Sequence, residues 1–171
     1  MEKLNLITDE KILIFGYGSL LLESSLKKTA PNSRIVGEGL LNNFMRIFNK
    51  PSKNKTHLAL NLIPKENCRV NGVLIELDKE DFYEMIQREF RYNIILVQIQ
   101  VGSELMEAYT FSYSQENSLI FDLNDEFQLD YIKTCLDGAR LRNQGFYEFF
   151  IKNTFISESE NLENFRNGEL I

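Results

Sequence analysis

Apolar residues recur along this chain in short runs broken by glycine and polar turns, a spacing closer to strands than to long helices. The segment from Lys11 to Phe15 is a run of buried-strand type that stops at Gly16-Tyr17-Gly18-Ser19. A helical stretch from about Leu22 to Lys28 follows and ends before Pro31. Arg34 to Phe48, His57 to Leu62, Val70 to Leu77, Asn93 to Val101 and Leu105 to Ser112 read as strands, the fourth alternating at its end. Asp78 can cap a helix from Lys79 to about Glu89, Asp125 can open a longer one through YIKTCLDGARL, and a last helix lies near Phe146 to Thr154. Five or six strands with few interleaved helices predict an α+β fold. The expected form is a small mixed β-barrel or strongly curved sheet with flanking helices, not a doubly wound parallel sheet.

No repeat, low-complexity tract or linker divides the chain, so residues 1–156 are expected to form one domain. Residues 157–171, acidic and polar with few apolar anchors, read as a solvated or loosely docked tail. At 171 residues and 43% hydrophobic content the chain can bury a core, and 13 Phe and 7 Tyr against no Trp make that core rich in rings. A net charge of -6 argues against a nucleic-acid partner. The first residues, MEKLNLITDEK, lack a basic stretch leading into an apolar run. Nothing approaches the roughly 20 apolar residues of a membrane span, so a cytoplasmic protein without membrane contact is expected. Cys68 and Cys135 have no metal-site spacing and read as reduced, core-type thiols.

Much chemistry is excluded by what is missing. His57 is the single histidine, which leaves no histidine pair for zinc or iron, and no metal or other cofactor is expected. The Gly16-Tyr17-Gly18 turn starts like a dinucleotide fingerprint, but Leu21 stands where a third glycine would be and no GK[ST] follows. Ser19 is not in a GxSxG context. Carboxylate chemistry and backbone amides remain.

Two features carry that chemistry. On the helix after Asp78 the apolar stripe is Phe82, Met85 and Ile86, and Glu89 falls next on it, because seven residues return to within roughly 20° of the starting direction. A carboxylate on that stripe, near a helix C-terminus and beside Phe90 and Tyr92, would have its pKa raised toward the range useful for proton transfer. The other reading is a helix that ends early, with Glu89 turned to solvent and paired with Arg88 or Arg91. The second feature is Tyr17-Gly18-Ser19-Leu20. Glycines flanking a tyrosine between strand and helix let backbone N–H groups converge on an anion without Cβ obstruction, although an ordinary strand-to-helix turn has the same sequence.

Taken together, Phe15 to Leu20, Gly39 to Phe48 with Arg46 and Phe48, Val70-Asn71-Gly72-Val73-Leu74, Ile86 to Tyr92, and Tyr131 through Phe149 resemble the gamma-glutamylcyclotransferase-like family in order and approximate spacing. The resemblance covers residues 11–155. It implies a small mixed barrel in which the amides of Tyr17 to Leu20 bind a glutamyl head and Glu89 is the catalytic acid/base. The implied reaction cyclises the γ-glutamyl group of a small-molecule amide or peptide to 5-oxoproline and releases an amine or amino acid, as in glutathione metabolism. Phe90 is a departure, since relatives often have glycine after the catalytic glutamate. A non-catalytic binding module for γ-glutamyl or amino-acid ligands on the same fold is the alternative.

Overall fold

The structure, a computed structural model, describes residues 11–165. Residues 1–10, read above for a leader, and the last part of the expected tail lie outside them. Seven strands form one sheet: β1 (Ile12–Gly16), β2 (Arg34–Pro51), β3 (Leu58–Leu77), β4 (Asn93–Val101), β5 (Glu104–Ser112), β6 (Thr154–Ser157) and β7 (Glu160–Asn161). Their order is β3-β1-β5-β4-β2-β6-β7, and β2 also pairs with β3, so the first five close into a barrel. Within it β1 and β5 run parallel and the other neighbours antiparallel. Helices α1 (Glu23–Lys27), α2 (Lys79–Arg88), α3 (Glu126–Arg142) and α4 (Gln144–Lys152) flank it. The expected α+β mixed barrel with flanking helices is thus the fold that forms. Among the described residues no helix is long and apolar enough to cross a membrane.

The barrel closes because β2 and β3 are long and bent. Their pairing shifts register after Ile35, Asn42 and Phe48, and such bulges add twist and curvature to a ladder that would otherwise lie flat. At the central irregularity Asn42 pairs Arg69 while Phe44 pairs Pro64, which leaves residues 65–68 outside the ladder opposite Asn43. Asn43 and Asn67 both take positive φ there, a conformation asparagine tolerates better than most residues. This corrects the sequence reading of two strands, 57–62 and 70–77. The polar PKENC stretch between them looks like a turn but is the outward bend of one continuous strand.

Helix starts follow the expected chemistry. Asp78 accepts from the Asp81 amide at 2.8 Å, Asp125 from Phe127 and Gln128, and Asn143 from Phe146. Helix α3 is pressed against the chain leaving β1: a Cβ on Gly138 would lie 2.5 Å from the Leu22 nitrogen and 2.6 Å from the Leu21 carbonyl carbon. Ile14, Phe15, Leu62, Leu74, Ile75, Leu136 and Phe150 make the centre of the core.

The expectation of a loose tail beyond residue 156 is corrected over its first half. Strands β6 and β7 form a hairpin, a 3-10 turn follows over Leu162–Phe165, and Leu162 is fully buried. One apolar side chain covering an open edge of the core anchors a segment whose composition looked solvated.

Candidate active site

The carboxy-terminal end of β1 delivers the chain into the barrel mouth. Tyr17 is buried, and its hydroxyl donates to the Phe111 carbonyl at 2.6 Å. Ser19–Leu21 then make a single 3-10 turn, in which Leu21 N–H donates to Gly18 O. The amides of Ser19 and Leu20 open that turn and find no acceptor among the described residues, as the first donors of a helical turn do. Gly18 is not in the left-handed region, with φ -137. Its residue type reflects crowding, since a Cβ there would lie 3.3 Å from the Tyr131 hydroxyl and 3.4 Å from Leu60 Cδ1.

Glu89 reaches the same place from α2. The helix ends at Arg88, and Glu89 is its C-cap, with its N–H donating to Met85 O. Tyr92 N–H bonds back to the Glu89 carbonyl across a turn whose left-handed residue is Arg91, at φ 74. Phe90 is therefore not required to take positive φ. Elements of both sequence readings coexist: the helix stops early and Arg88 Nε lies 3.6 Å from Glu89 Oε1, yet the Glu89 side chain is only 16% exposed. It lines one small cavity of about 30 Å³ together with Tyr17, Gly18, Ser19, Leu20 and four further rings, Phe15, Tyr92, Phe111 and Tyr131. All five residues singled out from the sequence thus meet in one pocket.

Electrostatics separates the roles these groups can play. Burial raises the Glu89 pKa above the ordinary 4.5, while the charges of Arg88 and Lys50 pull it down. Burial pushes the phenols of Tyr17, Tyr92 and Tyr131 well above their usual value, so all three stay protonated at neutral pH. Cys135, buried behind Tyr131, is pushed up to about 12 and is an inert thiol. Cys68 is half-buried, and both thiols are free. His57 lies outside the cavity, just before β3, its ring tilted against Tyr131 with centroids 5.1 Å apart. Glu89 is the one carboxylate lining the pocket. Among the described residues no three His, Cys, Asp or Glu side chains are grouped as metal ligands.

Three residues act as supports, a role the sequence reading does not give them. Arg88 donates to Ser25 O, Thr29 Oγ1, Ser25 Oγ and Ser19 Oγ, tying the end of α2 to α1 and to the glycine turn. Arg46 is completely buried. It bonds Thr154 Oγ1, Asn71 O, Asn71 Oδ1, Phe150 O and the Tyr17 carbonyl, with its guanidinium 3.8 Å from the Phe150 ring centroid. Those acceptors are neutral, and burial lowers its pKa to about 9. Tyr131 accepts from Leu60 N–H at 3.0 Å, joining α3 to the pocket wall.

No protein-family model and no curated protein matches the sequence. Solved structures do match. An uncharacterized protein from Homo sapiens aligns over 93% of this chain and 99% of its own at a TM-score of 0.72 and 18% identity. A gamma-glutamyl cyclotransferase aligns over 93% and 100% at a TM-score of 0.71 and 17% identity. YkqA from Bacillus subtilis, of which 55% is covered, aligns over 86% of this chain at 0.66 and 17% identity. The chain has the gamma-glutamylcyclotransferase-like fold.

Proposed function

We propose that this chain, on a gamma-glutamylcyclotransferase-like fold, is a gamma-glutamylcyclotransferase-type enzyme. It cyclises the γ-glutamyl group of an amide or peptide to 5-oxoproline with release of an amine or amino acid. The observation that carries the reading is the meeting of a buried carboxylate, Glu89, with the open amides of the Ser19–Leu21 turn in one ring-lined cavity.

The reaction needs few protein groups, because the nucleophile belongs to the substrate. Its α-amino nitrogen attacks its own γ-carbonyl, closes a five-membered lactam, and expels the amide nitrogen. Holding the glutamyl chain folded back on itself exploits effective molarity, which for ideally oriented groups supplies up to about 7 to 11 kcal/mol. Glu89, ionised, takes a proton from the attacking ammonium. The same carboxyl then gives it to the departing nitrogen, so the residue ends as it began. Amides of Ser19 and Leu20 stabilise the oxyanion that develops at the γ-carbon. The three phenols remain donors, and their rings keep water from the lactam-forming geometry.

The test is direct. Purified protein is incubated with a panel of γ-glutamyl amides and peptides and 5-oxoproline is detected by mass, with Glu89→Gln alongside. Release by the native protein and not by the variant supports the reading. A panel in which ligands bind but no 5-oxoproline forms would leave the non-catalytic alternative.

A further inference from the structure

Arg88 precedes Glu89 in sequence, and a continuous helix would keep the two side chains apart. Successive helical residues point about 100° from one another and do not face each other. Because α2 stops at Arg88 and Glu89 takes the C-cap position, with φ -84 and ψ 39, the side chains converge instead. Arg88 Nε then lies 3.6 Å from Glu89 Oε1.

A guanidinium carries its N–H donors in a planar fork. Nη1 donates to Ser25 O at 2.9 Å and Thr29 Oγ1 at 3.1 Å, and Nη2 to Ser19 Oγ at 3.2 Å and Ser25 Oγ at 3.1 Å. These acceptors are neutral, so they fix the group in space and leave its charge unopposed. Glu89 is its one ion-pair partner among the described residues. At 3.6 Å that pair is longer than a hydrogen bond, so the carboxylate feels the charge without being tied to it. The other groups facing Glu89 do not replace this one. Lys50, from β2, acts on it more weakly than Arg88 does. Tyr17 after β1, Tyr92 after α2 and Tyr131 of α3 are kept protonated by burial and bring no charge.

Resting on the cyclisation reading above, we propose that Arg88 is a positioning residue of the reaction, a guanidinium anchored on α1 and the glycine turn that holds the Glu89 carboxylate ready to accept a proton. Ser19, whose N–H opens the turn, and the base are thereby fixed to one rigid group, which sets the spacing between the two halves of the site.

The experiment compares Arg88→Gln, which drops the charge, with Arg88→Lys, which keeps it but lacks the fork that reaches all the anchors. On a γ-glutamyl substrate that the native protein turns over, Arg88→Gln should lose about tenfold or more in kcat/KM at mildly acidic pH. It should recover most of that loss in alkaline buffer, because its Glu89 ionises later. Arg88→Lys should keep the native acid limb at reduced kcat. A brace with no electrostatic role would lower kcat/KM of both variants by a constant factor at every pH, which overturns the proposal.

Denaturant midpoints give a readout that needs no turnover. The stability lost in Arg88→Gln should grow as pH rises from mildly acidic to neutral, where Glu89 ionises without its partner, and this pH dependence should vanish in the Glu89→Gln background. Should Arg88→Gln alone fail to fold, the double variant with Glu89→Gln decides. Folded, it shows that the arginine answers the carboxylate; unfolded, it marks a brace and overturns the proposal. Coupling between the two residues in a protein that never forms 5-oxoproline would remove the cyclisation reading and leave the charge clamp standing. Release of 5-oxoproline without that coupling removes the clamp and leaves the reading.

Discussion

At the scale of single residues the site turns on one titratable group. Glu89→Gln keeps the side-chain shape but cannot shuttle a proton, so turnover should fall by about 10² to 10⁴ while the protein stays folded and binds ligand. In the native protein, kcat/KM should decline on acidification as Glu89 takes up a proton, with a midpoint above the ordinary carboxylate value of 4.5. The same shift fixes a sign for stability. A carboxylate whose pKa is raised on folding stabilises below its unfolded pKa, and that contribution is lost as pH rises through the folded one. Denaturation midpoints of Glu89→Gln should accordingly gain on the native protein between mildly acidic and neutral pH. A constant difference would mean that the carboxylate is not desolvated. Gly18→Val forces branched carbons toward the Tyr131 hydroxyl and Leu60, 3.3 and 3.4 Å from a Cβ there, and should cost more than about a hundredfold in kcat/KM. Ser19→Ala removes one acceptor of Arg88 and should cost about tenfold or less. Steady-state kinetics on the two variants checks the ordering.

Elements explain why the residues meet. Helix α3 reaches the turn only because position 138 has no side chain. Alanine usually stabilises an interior helical position by up to about 1 kcal/mol over glycine. At Gly138 it should instead destabilise by about 1 to 3 kcal/mol, because its methyl would meet backbone atoms of Leu21 and Leu22. Chemical denaturation of Gly138→Ala decides the sign. The glycine turn and Glu89 were both legible in the sequence, one as a break after an apolar run, the other as a charge on an apolar stripe. The supports were not. Arg46 and Lys50 stand in β2, whose alternation cannot reveal burial, because what covers them comes from elsewhere: Phe150 of α4 lies over Arg46, and the Tyr92 ring lies against Lys50. The continuity of β3 was hidden for a related reason. Proline, lysine and asparagine at 64, 65 and 67 are turn-forming residues, and only a long partner strand keeps such a segment within one ladder.

For the molecule as a whole, the barrel was readable from strand count and order, while the carboxy-terminal hairpin was not, since it is held by β6 pairing with β2 and, beyond residue 157, by burial of one leucine among acidic and polar neighbours. Leu162→Ala should destabilise by about 2 to 5 kcal/mol, the range for emptying a fully buried leucine site. A thermal or denaturant midpoint unchanged from the native protein would restore the solvated-tail expectation.

Arg46 gives this arrangement an order in time. Its guanidinium holds the Tyr17 carbonyl on one side and Phe150 O and Thr154 Oγ1 on the other, so residues near the two ends of the described chain share one buried cation. During synthesis the glycine turn emerges early, but the charge that pins it stays short of acceptors until Thr154 has left the ribosome and β6 has added to β2. A nascent chain can therefore build most of the barrel while Arg46, and the Tyr17 carbonyl it holds, still lack their partners on Phe150 and Thr154.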